Sequence, residues 1–154
     1  MMKFSNLKGM LILMFVLMAL NVGTASAHNQ AGSFTTGLAA AVDYYQATCF
    51  DDGSGAPSYL EAQVKDMTAS SAKVSILIHK GTSCTTNKCA QFRVDSGDRN
   101  TTYSPLVKVP QGSGVYSVFV MHTAAGTDSY DVALYCKTSS GVHTGTSVVS
   151  RQQQ

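Results

Sequence analysis

Past Ala27 the apolar residues fall on every second position, and that two-residue period decides most of what this chain can become. A strand turns successive side chains to opposite faces, whereas a helix needs apolar residues three and four apart. Residues 42–50 are rich in aromatic and β-branched types. Residues 58–65 set Leu60, Ala62 and Val64 against Tyr59, Glu61, Gln63 and Lys65, and residues 73–79 gather Val74, Ile76 and Ile78 on one face. Residues 88–94 and 106–109 repeat the pattern more weakly. Residues 115–122 align Tyr116, Val118 and Val120; residues 129–137 align Tyr130, Val132, Leu134 and Cys136; residues 146–150 supply a short last strand. One-sided alternation between turn signals predicts an all-β fold, a single antiparallel β-sandwich (jelly-roll or Ig-like) of seven to eight strands. Residues 34–42 fit either a short helix or an edge strand, and the tail 151–154 is expected to be disordered.

The first 27 residues have a different character. Lys3 and Lys8 precede an uncharged apolar run over residues 10–20, and Ala25-Ser26-Ala27 offers a small-x-small cleavage site. Gly23-x-Ala25 is a second such site. Eleven apolar residues rise only about 16 Å as a helix, half a bilayer core, so the segment reads as a signal peptide and not as a permanent membrane anchor. The expected product is a domain over residues 28–150, secreted or periplasmic after cleavage near Ala27. Beyond the leader nine basic residues balance nine acidic ones. A formally neutral surface argues against a nucleic-acid partner, which needs a basic face, and against a polybasic membrane-surface protein.

Export gives the four cysteines their meaning, because an even count in an oxidising compartment reads as disulfides. Four cysteines allow three pairings. Cys84 and Cys89 bracket a turn-like tetrapeptide, which favours pairing them and leaves Cys49 with Cys136, both on core faces of their strands. The rival, a four-cysteine zinc site, lacks any C-x2-C pair to begin it.

The order of elements is familiar. Asp43-Tyr44-Tyr45 opens a strand, Leu60-x-Ala-x-Val64 and Val74-Ser-Ile-Leu-Ile78 follow, and the chain closes with Gly114-Val-Tyr116-Ser-Val118-Phe-Val120, Gly126 and Ser129-Tyr130-Asp-Val132-Ala-Leu134. Over about residues 43–136 this resembles the bacterial pre-peptidase C-terminal (PPC) domain, a small β-sandwich appended to secreted enzymes. The resemblance implies a non-catalytic module. Ala72-Lys73 stands where the family's third strand usually begins with acidic residues, which puts a family-like calcium site there in doubt. The cysteines are no part of the family's pattern, and no catalytic domain accompanies the module.

Little in the sequence suggests an enzyme. There is no G-x-S-x-G elbow. The sole glutamate, Glu61, reads as a solvated charge on the polar side of its strand. No cofactor is expected, though two metals have candidate ligands. Cleavage after Ala27 makes His28 an N-terminal residue whose amine and imidazole can chelate copper, with His79, His122 or His143 supplying a further nitrogen. His122, inward at a strand end, fits a core-capping hydrogen bond equally well. Asp51 and Asp52, like the turn from Asp95 to Asp98, offer oxygens for calcium or simply form turns. Tyr44, Tyr59, Phe119 and Tyr135 fall opposite the core and define a candidate aromatic binding surface for a carbohydrate or protein partner. The leading expectation is therefore a secreted, non-catalytic binding or surface-interaction module. A small copper-binding protein centred on His28, and a structural subunit assembling through residues 34–42 as an edge strand, are the alternatives.

Overall fold

Alternating side chains need something to alternate between, and in the computed structural model that is one apolar layer shared by two antiparallel sheets. The structure describes residues 28–81, 88–97, 99 and 101–154. Nine strands follow one another: β1 (His28–Phe34), β2 (Val42–Phe50), β3 (Tyr59–Asp66), β4 (Val74–His79), β5 (Ala90–Val94), β6 (Val107–Val109), β7 (Gly114–His122), β8 (Asp128–Lys137) and β9 (Gly145–Gln152). One sheet has the order β1-β8-β3-β6, the other β5-β4-β7-β2-β9, and no helix occurs among the described residues. The inward positions of these strands, from Tyr45 and Ala47 through Val64, Ile76, Val118 and Leu134, are all sealed from solvent.

Three expectations are corrected. Among the described residues the strands number nine, not seven or eight, because β1 exists. It satisfies the outer edge of β8, from His28 opposite Leu134 to Phe34 opposite Asp128. Gly32 is required there, since a Cβ at that position would lie 2.3 Å from the Tyr130 hydroxyl. Residues 34–42 form neither a helix nor an edge strand. Phe34 ends β1, Val42 begins β2, and the chain between them is a loop. The tail is ordered: Arg151 and Gln152 continue β9, and the Gln154 amide donates to Asp43 Oδ1 at 2.7 Å while its carbonyl accepts from Thr35 N at 3.1 Å.

Cys49 on β2 and Cys136 on β8 are bonded, joining the five-stranded sheet to the four-stranded one. The other expected bridge, Cys84–Cys89, has Cys84 outside the described residues.

Three tyrosines fill the centre of the molecule. Tyr45 and Tyr130 meet hydroxyl to hydroxyl at 2.7 Å, and Tyr130 donates to Asp43 Oδ2 at 2.5 Å. That bond and the Gln154 amide let a fully buried carboxylate sit in an apolar layer. Tyr116 donates to the Gly112 carbonyl at 2.6 Å. Burial pushes the Tyr116 phenol from 10.0 up to about 12 and carries Tyr130 further in the same direction. Below pH 10 folded and unfolded chains both keep these protons, and the stabilisation is complete. Above it the unfolded chain ionises first, so stability is lost between pH 10 and about pH 12. A urea midpoint that falls steadily over that window is the expected result. An unchanged midpoint would show the tyrosines ionising in place.

Candidate functional site

The four candidate aromatics divide between the two sheets, so they do not form one platform. Tyr59 and Tyr135 lie on the outer face of the four-stranded sheet, and Tyr44 and Phe119 on the outer face of the five-stranded one.

On the four-stranded sheet the tyrosines are already occupied. Lys108 Nζ stands 4.1 Å over the Tyr59 ring, and His143 meets Tyr135 edge-on at 5.0 Å. Between them lies Glu61, opposite Tyr135 and Lys108 in register. It is not the solvated charge its strand position suggested. Only 5% of its surface is exposed, and its carboxylate bonds Lys137 Nζ at 2.5 Å with Lys108 Nζ at 3.8 Å. A second pair, Lys65 and Asp131 at 3.0 Å, packs against Tyr103 and raises the Lys65 pKa through the hydrogen bond. This face is an internally paired network in which cations cover the rings a ligand would need.

The five-stranded sheet is different. Register places Phe92 of β5 opposite Leu77 of β4, Leu77 opposite Phe119 of β7, Phe119 opposite Tyr44 of β2, and Tyr44 opposite Gln152 of β9. An apolar row thus spans four of the five strands and ends at Gln152 on β9. The flanking rows add Val94, Met121 and Val42 on one side, and Ala90, Ser117, Gln46 and Val149 on the other. An antiparallel sheet with one wet face ordinarily alternates apolar with charged or polar residues. Here no outward position on these strands is Asp, Glu or Lys; His79 and, at the β9 edge, Arg151 are the titratable exceptions. Phe92, Val115 and Val149 are each close to half exposed. Tyr44 and Phe119 are legible in the sequence as outward aromatics, whereas Phe92 and Leu77 are not. The available signal was that Leu77, Phe119 and Met121 interrupt the polar half of the alternation.

Ring geometry limits what this face can hold. Tyr44 and Phe119 are nearly parallel, 19° apart, with centroids at 4.9 Å. Flat rings lying side by side cannot approach so closely, so their faces overlap and their edges meet solvent. Sugar stacking needs a free ring face turned outward, whereas an apolar protein surface packs against edges and methyl groups alike.

The metal candidates are not assembled into sites. His28 starts β1 and Phe34 ends it, about 20 Å away at the rise of a strand. The His122 ring stacks on Phe34 at 4.5 Å, so His28 and His122 belong to opposite ends of the domain. Both His122 nitrogens are engaged, Nδ1 with Asp128 Oδ2 at 3.2 Å and Nε2 with the Leu38 carbonyl at 2.5 Å. His79 is on the outer face of the five-stranded sheet, and His143 bridges to Lys137 on the other. Asp51 Oδ1 accepts from the Gly53 and Gly55 amides, and Asp52 Oδ1 accepts from Ser54 N, which holds the Asp52 pKa below its ordinary value. Both carboxylates do the work of turn formers. Among the described residues no three His, Cys, Asp or Glu side chains are grouped to hold a metal ion.

No protein-family model, curated protein or solved structure matches the chain.

Proposed function

We propose that this chain is an exported, non-catalytic β-sandwich of the PPC type that binds a protein surface through the outer face of its five-stranded sheet. The carrying observation is the row Phe92, Leu77, Phe119 and Tyr44 on a face without Asp, Glu or Lys. An apolar patch of this extent is ordinarily an interaction site, since leaving it wet costs about 25 cal/mol for each Å² of apolar surface. Residues 1–27 act as the export signal in this reading, and Cys84–Cys89 is the second bridge. A protein is preferred to a carbohydrate because the Tyr44 and Phe119 faces are spent on each other, while Tyr59 lies under Lys108 and Tyr135 meets His143.

The test compares two readouts on the secreted protein. A photo-crosslinking residue at position 92 should give protein adducts that disappear when Phe119→Lys is added. Cellulose and chitin should not retain the wild type. Retention on either polysaccharide that is lost in Tyr44→Ala would overturn the assignment in favour of sugar binding.

A further inference from the structure

We infer that the surface covering this face is the same face of a second copy of the chain, related by a twofold axis. The inference rests on the proposal that the outer face of the five-stranded sheet is the binding surface. With neither carboxylates nor ammonium groups, the face carries no charge pattern with which to select a differently charged partner. A partner bearing charges would have to bury them unpaired, and an identical face has none to bury. From residue 28 onward nine bases balance nine acids, so two copies approach without net repulsion.

Size and chemistry agree with this occupant. Strands of five, six, nine, nine and eight residues, about 4.8 Å apart, present roughly 600 Å², the lower limit of a standard interface. A standard interface buries about 800 Å² on each partner. Two sheets with the same twist pack aligned at about 30°. The polar members of the face, Ser117, Gln46 and Thr48, each combine a donor with an acceptor, so each can pair with whichever polar group it meets across the twofold axis. Arg151 reaches Gln46 from the β9 edge and so lies at the rim, where its charge stays in water.

Sedimentation velocity of the chain from residue 28, with disulfides intact, tests this between about 1 µM and about 500 µM, the range of a weak to moderate dimer. The wild type should pass from the monomer mass to twice that mass. Phe92→Lys and Val115→Lys, at outward positions 46% and 48% exposed, the second on the central strand β7, should each hold it at the monomer mass without disturbing the core. Leu106→Lys, exposed outside this face, should leave the dimer intact. A wild type that stays monomeric, or a dimer that survives both face substitutions, overturns the second-copy assignment. In that event, position-92 crosslinks to another protein that vanish with Phe119→Lys leave the binding face standing, and their absence removes both readings.

Discussion

Replacing Cys49 and Cys136 together by alanine is expected to cost about 4–5 kcal/mol, because their bridge closes a loop with a sequence separation of 87 residues. That is a large share of the roughly 5–15 kcal/mol by which such domains are stable. The bridge joins the second strand to the eighth, and those strands belong to different sheets. Without it, hydrophobic contact and the hydrogen bond from the Cys136 amide to Thr146 Oγ1 at 2.9 Å are left to hold the layers in register at this position. The melting temperature should fall by on the order of 15 °C, read by calorimetry on the double variant so that no lone thiol remains. A loss below about 1 kcal/mol would mean that the unfolded chain is already compact around these two positions.

His122→Leu is expected to be nearly as damaging for a different reason. Asp128 is sealed from solvent, and His122 Nδ1 lies on its Oδ2 while Ser70 Oγ donates to its Oδ1 at 2.7 Å. Both ring nitrogens are engaged, Nδ1 with Asp128 and Nε2 with the Leu38 carbonyl. Removing the ring leaves a buried carboxylate without its main partner, at about 3–5 kcal/mol. The discriminating measurement is a double-mutant cycle. His122→Leu with Asp128→Leu should cost less than His122→Leu alone, since the orphaned charge has gone with its partner. Additive losses would show that the ring stabilises by packing on Phe34 and not by pairing.

Much of this architecture was legible because burial imposes a period of two wherever one face is covered. The phase of Tyr45, Ala47 and Cys49, and of Leu134 and Cys136, places both bridge cysteines inward from the sequence alone. Residues 28–34 escaped notice because His-Asn-Gln-Ala-Gly-Ser-Phe has no β-branched residue. It is a strand only because β8 offers an unpaired edge and Gly32 makes room for Tyr130. The tail escaped for the same reason: Gln154 is held by Asp43 and Thr35, residues more than a hundred positions away. Glu61 was misread because its lysines come from β6 and β8, and no local pattern announces a cross-strand neighbour. The aromatics divided because phase reports inward or outward, not which of two sheets a strand joins. Tyr44 and Tyr59 share a phase yet look in opposite directions.

The strand order also sets a timetable. As the polypeptide is made from its amino end, β1 has only β8 to pair with, and β2 must wait for β7 and β9. Neither layer can therefore close until nearly the whole sequence is present. Pairings so distant along the chain make folding slow, in the millisecond-to-second range. Until then the half-made product exposes its valines and isoleucines to every neighbour, and the sulfurs at positions 49 and 136 can meet only as the last act of assembly.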